Sequence, residues 1–200
     1  MGVIWRDTFE RPDGILTGAD YSNMGGEPDA PLVGGQVVST VDALFAYQNA
    51  ARASLYAQYR VTCDLSTAGG GILLFFTPTL AGFNDRYNLY LPHSATPGFG
   101  KIVKTVAGVF TDLVTGIPLP AVNALVRFEK QGTTLTVSFD GAQQAAVSDA
   151  SLAGPFYAAC NLDGTGGTVS LDDFEIGDIT LGASFRPNTR PRPFAPGIAR

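Results

Sequence analysis

Apolar residues in this chain recur at every second position, in short runs fenced by turn residues. The clearest case is 133–139, where Leu135, Val137 and Phe139 point one way and Thr134, Thr136 and Ser138 the other. Gln131-Gly132 precedes that run and Asp140-Gly141 follows it, both as turn dipeptides. A period of two marks a half-buried strand, and no segment shows the 3.6-residue period of a helix of useful length. The same reading predicts strands over 36–45, 55–65, 71–77, 86–91, 100–106, 109–115, 124–130, 133–139, 156–162 and 168–176. Residues 72–76 (ILLFF) have no polar face, which predicts a strand in the middle of a sheet covered on both sides. At Asp172-Asp173 the alternation slips: Val169 and Leu171 share a parity that Phe174 and Ile176 do not. A β-bulge there returns both sets to the core.

Roughly ten strands spaced by turns predict an all-β fold, a two-sheet antiparallel β-sandwich over 1–182. The 24 glycines and 13 prolines among 200 residues fit many turns, and 45% hydrophobic residues fit one sizeable core. Cys63 and Cys160 each alternate with inward-looking residues, so both read as free thiols in the core. Met1 leads straight into Gly-Val-Ile-Trp-Arg-Asp, from which we expect neither secretion nor membrane insertion.

Charge is unevenly divided. Residues 1–182 carry nine basic and eighteen acidic side chains, a net charge of −9, which argues against nucleic acid as a partner of the body. Residues 183–200 (ASFRPNTRPRPFAPGIAR) hold four arginines, four prolines and no acid. Proline excludes a helix or an inner strand there, so the segment reads as an extended arm. Phe185, Arg186, Arg190, Arg192 and Phe194 equip it to dock on another protein rather than merely to stay solvated.

Several motifs, in chain order, resemble the concanavalin A-like (laminin-G-like) jelly rolls over residues 5–180. Asp7-Thr8-Phe9-Glu10-Arg11 with Asp13-Gly14 resembles their opening strand. Arg86-Tyr87-Asn88-Leu89-Tyr90-Leu91 followed by Lys101 to Lys104 resembles a hairpin of that family, as does Val126-Arg127-Phe128-Glu129 with the stretch from Leu135 to Gly141. Val169-Ser170-Leu171-Asp172-Asp173-Phe174 resembles the closing strand that pairs beside the first. This sandwich hosts lectins, hydrolases, lyases and structural modules, so the resemblance implies fold more than function.

The hydrolases of this fold carry an E-x-D-x-x-E strand, whose alternate carboxylates share one face across the sugar. No such strand exists here: Glu175 and Asp178 are separated by odd spacing, and the lone His93 follows Pro92 in a turn. We therefore expect no catalytic residues and no enzyme. The resemblance also admits a structural calcium ion at the joined first and last strands, with Asp7, Asp172 and Asp173 as the candidate ligands; the alternative is that these acids cap turns or pair with Arg6 and Arg11. No other cofactor is expected. Sugar binding needs aromatic platforms beside amides or carboxylates. Tyr56, Tyr87, Tyr90 and Asn88, with Tyr47, Asn84, Asp85 and Arg86 nearby, are the candidates, set against an ordinary role for tyrosines as half-buried sheet residues.

A jelly roll without a catalytic set, ending in an Arg/Pro arm, resembles the virion modules of tailed bacteriophages. That resemblance implies a capsid decoration or tail/fibre accessory protein, made in the host cytoplasm and carried on the virion. The arm would sit on a major capsid or tail protein, and the body would form a homo-oligomer. The alternative is a carbohydrate-binding adhesin module that recognises host surface polysaccharide.

Overall fold

The computed structural model describes residues 2–10, 14–15, 21–23, 31–39, 42–47, 51–80, 84–92, 98–164 and 167–179. Among these residues there are sixteen strands and no helix. In chain order they are β1 (Gly2–Asp7), β2 (Gly14–Ile15), β3 (Tyr21–Asn23), β4 (Pro31–Val33), β5 (Gln36–Ser39) and β6 (Asp42–Tyr47). The central set is β7 (Leu55–Val61), β8 (Gly71–Thr77), β9 (Arg86–Leu91), β10 (Gly100–Val106) and β11 (Val109–Ile117). The last are β12 (Leu125–Gln131), β13 (Thr134–Phe139), β14 (Ala142–Ser148), β15 (Tyr157–Asp163) and β16 (Val169–Asp178). No helix among the described residues is long and apolar enough to cross a membrane.

The strands form two antiparallel sheets. One has nine strands in the order β14-β13-β12-β7-β16-β5-β4-β2, with β1 also paired to β16; the other has seven, ordered β11-β10-β9-β8-β15-β6-β3. Leu55, Ala57, Tyr59 and Val61 of β7 face Ile72, Leu74 and Phe76 of β8 within one core cluster. Phe76 and Phe128 stack between the sheets with ring centroids 4.7 Å apart and planes 8° from parallel. Every residue of β8 is buried, as its lack of a polar face predicts. The turn at Asp140-Gly141 is a two-residue hairpin loop with φ of 49° and 83°, the left-handed pair that a type I′ turn requires. The bulge in β16 is present as well: its pairing with β7 slips between Asp172 and Glu175, and Asp173 adopts a φ of 54°.

Three expectations change. The run 36–45 is not one strand. Gln36–Ser39 pairs with β16 in the nine-stranded sheet, whereas Asp42–Tyr47 pairs with β15 in the other. The opening strand is Gly2–Asp7 rather than the stretch from Asp7, and Trp5 meets Phe174 edge-on at 5.9 Å. Phe9 instead sits beyond β1, fully buried with φ of 54°, and its amide donates to Asp7 Oδ1 at 2.7 Å. Cys160 is a buried core thiol, but Cys63 is only half-buried; both are free. The outermost strands β11 and β14 each carry register slips, which kink those edges and discourage strand addition.

Two buried polar groups make testable features of this core. The Tyr59 hydroxyl, fully buried, has no hydrogen-bond partner. Burial first, then the Cys160 and Cys63 sulfurs, push it well above the ordinary tyrosine range. Since an unsatisfied buried hydroxyl loses its hydration without recompense, Tyr59→Phe is expected to raise stability by about 1 kcal/mol. A melting curve should then move up by about 2–4 °C; a lower Tm would contradict the assignment.

The segment between β14 and β15 is latched to the seven-stranded sheet through Asp149. Its carboxylate accepts from Tyr87 Oη at 2.8 Å, Lys104 Nζ at 2.8 Å and the Ser151 amide at 2.8 Å, while Tyr87 Oη accepts from the Leu152 amide at 3.1 Å. Burial opposes ionisation of Asp149, but the bonds from Lys104, Ser151 and Tyr87 outweigh it and hold the group well below the usual carboxylate range. Tyr87 is pushed up to about 12 by burial, with the Leu152 amide opposing and Asp149 reinforcing. A depressed carboxylate stabilises the fold above its unfolded pKa and loses that contribution as pH falls through the folded one. The Tm should therefore decline as pH drops below about 4, and Asp149→Asn should flatten that decline while lowering neutral-pH stability by about 1–3 kcal/mol. An unchanged acid profile in the variant would remove the latch from the account.

Candidate functional site

Strand alternation decides which side chains leave the core, and register then lines them up. In β9, Tyr87, Leu89 and Leu91 turn inward, so Arg86, Asn88 and Tyr90 point to the outer face of the seven-stranded sheet. Pairing sets three rows across that face. The first joins Arg86, Thr105 and Phe110. The second runs Ala159, Phe75, Asn88, Val103 and Asp112. The third runs Asn161, Leu73, Tyr90 and Lys101.

The chemistry of these rows is mixed. Leu73, Tyr90 and Val103 form a small apolar cluster separate from the core. Both cations lie over aromatic rings: the Arg86 guanidinium is 5.6 Å from the Phe75 centroid and 5.7 Å from that of Phe110, and Lys101 Nζ is 5.6 Å from that of Tyr90. Lys101 also pairs with Asp112 at 3.2 Å. Asn88 lies at the floor, fully buried; its amide nitrogen donates to Thr105 Oγ1 at 3.1 Å and Val103 O at 3.4 Å, while its Oδ1 has no hydrogen-bond partner. Phe110 is 58% exposed and is the open ring of this face. No outward position of β8, β9 or β10 carries a carboxylate.

The four residues named for sugar contact are therefore split. Asn88 and Tyr90 share this face, with Arg86 beside them. Tyr87 points into the sandwich and is fully buried, so its ring belongs to the Asp149 latch. Tyr56 lies on the outer face of the other sheet, 2% exposed. Its hydroxyl donates to Glu175 Oε1 at 2.7 Å, and the Arg127 guanidinium covers its ring at 3.6 Å. Burial and the Glu175 carboxylate push Tyr56 well above the ordinary tyrosine range. Gln58 donates to the same Glu175 oxygen at 3.1 Å, and Arg6 and Arg60 both pair with Asp173, at 3.3 and 3.1 Å. That network engages the groups of its sheet with one another.

The proposed calcium ligands are not gathered on one point. Asp7 caps the Phe9 amide, Asp172 Oδ1 accepts from the Asp173 amide at 2.8 Å, and Asp173 faces two arginines. Among the described residues no group of three or more His, Cys, Asp or Glu side chains is placed to hold a metal ion. Tyr47 keeps its strand position in β6, whereas His93 and the whole arm, with Phe185, Arg186, Arg190, Arg192 and Phe194, lie outside the described residues. Sequence reasoning missed Lys101 and Phe110 as members of the site. Only the register of β10 and β11 brings them beside Tyr90 and Arg86, although the exposed aromatic after Val109 was a visible signal.

No protein-family model matches the chain, and no curated protein does. Solved structures do match it in fold. A carbohydrate-binding module, CBM66 from Bacillus subtilis, is 12% identical with a TM-score of 0.54, covering 77% of this chain and 91% of its own. The carbohydrate recognition domain of Emp47p is 13% identical with a TM-score of 0.59, covering 84% and 93%. A prokaryotic β-1,3-1,4-glucanase (lichenase) from a mouse hindgut metagenome is 13% identical with a TM-score of 0.61, covering 88% and 99%. The two-sheet jelly roll expected from the sequence is thus the fold of the protein, one shared by carbohydrate-binding domains and glucanases alike.

Proposed function

We propose that this protein is a non-enzymatic glycan-binding module that takes its ligand on the outer face of the seven-stranded sheet. The observation that carries the reading is the exposed Phe110 ring on that face, in register with Arg86 and beside the Tyr90–Lys101 pair. An exposed aromatic ring offers a surface to the apolar side of a sugar. The fold's occurrence in carbohydrate-binding domains supports the same choice. Hydrolysis needs two facing carboxylates, and the central outward positions supply none, which supports binding without cleavage.

Glycan-array binding by the full-length chain, beside a reducing-sugar assay, tests this. Saturable binding is expected without sugar release. Phe110→Ala, an exposed substitution, is expected to weaken binding about tenfold with little change in Tm. Binding unaffected by both Phe110→Ala and Tyr90→Ala would place the ligand elsewhere; sugar release would make the protein an enzyme.

The division of charge supports a second role in the same chain. The arm of residues 183–200 carries +4 against a body of −9, which suits an anchor on an acidic or carbonyl-rich partner such as a bacteriophage capsid or tail protein. The virion setting rests on that arm alone, so the glycan reading leads. Co-purification with particles, lost on deletion of 184–200, is the observation that would support the anchor.

A further inference from the structure

We infer that Asp85 and Arg86 are positioning residues of the binding face: they hold the β10–β11 hairpin so that the Phe110 ring stands ready for a sugar. This deepens the glycan-binding reading above and rests on it for its consequence, while the hold itself can be tested without any ligand. Every residue of 106–112 is exposed, Val109 by 67% and Phe110 by 58%. Neighbours on a strand point to opposite faces, so the end of this hairpin is uncovered on both. Its turn is Ala107-Gly108, with φ of 49° and 79°. Glycine takes that left-handed region freely, whereas the Cβ of Ala107 makes it costly. An uncovered hairpin end with a strained turn keeps one geometry only if something outside the hairpin supports it.

Three consecutive residues at the start of β9 give that support. Asn84 O accepts from the Gly108 amide at 2.9 Å, and Asp85 Oδ1 accepts from the Ala107 amide at 2.7 Å. The Arg86 guanidinium lies 5.7 Å from the centroid of the Phe110 ring. The support is itself held: Asp85 O accepts from Thr77 Oγ1 at 3.1 Å, and Arg86 also lies over Phe75 at 5.6 Å. Pairing between β10 and β11 runs without a slip from Val106–Val109 through Thr105–Phe110 to Val103–Asp112, so whatever fixes the turn also fixes the place of Phe110. A ring already held loses little freedom when a sugar stacks on it, and more of the contact appears as affinity. Asp85 and Arg86, which the sequence places beside the sugar-contact candidates, thus act through the hairpin: the Asp85 Oδ1 is committed to the turn and the Arg86 cation to the rings.

The test uses the full-length chain with Asp85→Ala and with Asp85→Asn, which keeps an acceptor oxygen for the turn. Amide hydrogen exchange comes first and needs no ligand. Ala107 is expected to exchange about tenfold faster in Asp85→Ala, the equivalent of one lost hydrogen bond, and near the native rate in Asp85→Asn. Unchanged exchange in Asp85→Ala overturns the inference. Arg86→Lys keeps the charge but loses the planar group between the two rings, and should lower the NMR order parameter at Phe110; an unchanged value overturns the part given to Arg86. Calorimetric titration with cellohexaose, laminarihexaose and oligogalacturonate follows. For whichever binds, Asp85→Ala should weaken binding about fivefold and Asp85→Asn should restore it. Asp85→Ala added to Phe110→Ala should cost nothing further, because Asp85 acts through that ring. Equal losses in Asp85→Ala and Asp85→Asn, or a loss that adds to that of Phe110→Ala, make Asp85 a contact residue and overturn its positioning role. Silence toward all three and on the array, with exchange at Ala107 as expected, counts against the glycan reading alone and leaves the hold on the hairpin standing.

Discussion

Gly71→Ala is expected to destabilise the protein by at least about 3 kcal/mol, the largest effect of any methyl-sized change. Gly71 opens β8 in the middle of the seven-stranded sheet, paired with Asp163 of β15. A Cβ at this position would lie 1.5 Å from Pro92 O, 2.7 Å from Pro92 C and 3.3 Å from Leu91 O. These are backbone atoms at the end of β9, so no rotamer change can make room; the end of β9 must move away. That strand carries Arg86, Asn88 and Tyr90, so the same substitution should disturb the candidate face. Gly132→Ala is the control, because its Cβ would meet nothing within 4 Å and only the left-handed φ of 58° is penalised. That change should cost about 1 kcal/mol. Chemical denaturation of the two variants side by side decides the matter, and equal losses would contradict the close approach.

Phe128→Ala is expected to cost about 3–5 kcal/mol. Phe128 belongs to β12 of one sheet and Phe76 to β8 of the other; both are fully buried and their rings lie face to face. Truncation removes one half of that contact at the centre of the sandwich, where neighbouring strands are held by their ladders and cannot collapse into the space. Phe128→Leu keeps most of the volume and should cost about 1 kcal/mol. Urea midpoints order the variants; a small loss for Phe128→Ala would mean that the two sheets are held together elsewhere.

Much of the fold is legible because one physical rule, alternation about a shared core, governs most strands. Residues 71–77, 86–91 and 100–106 fall out of the sequence with the bounds the structure gives them. The same rule explains the error at 36–45. Both sheets face one core, so alternation runs on while the chain passes from the nine-stranded sheet at Ser39 to the other at Asp42. Strand β14 was invisible for the opposite reason: AQQAAVS is an exposed edge with a register slip, and small residues there show no apolar face.

The site was half legible. Tyr87 shares the parity of Leu89 and Leu91, so its inward direction was already written in β9, and Arg86, Asn88 and Tyr90 are the residues of that strand that turn the other way. Excluding Tyr56 needed the sheet order, since it sits just as regularly on a strand, but in the other sheet. Including Lys101 needed the register of β10 against β9, and including Phe110 and Asp112 that of β10 against β11, which keeps the simple count from the hairpin turn as far as Val103 and Asp112. Pairwise contacts across strands are what a sequence alone leaves open.

The central claim is that one face of one sheet binds a glycan, and mapping the bound face by NMR tests it most directly. Backbone amide shifts of the full-length chain, followed during titration with an array-selected oligosaccharide, should move in β8, β9, β10 and at Phe110, and remain still around Tyr56, Arg127 and Glu175. Shifts confined to the nine-stranded sheet, or spread evenly over the chain, would contradict the account.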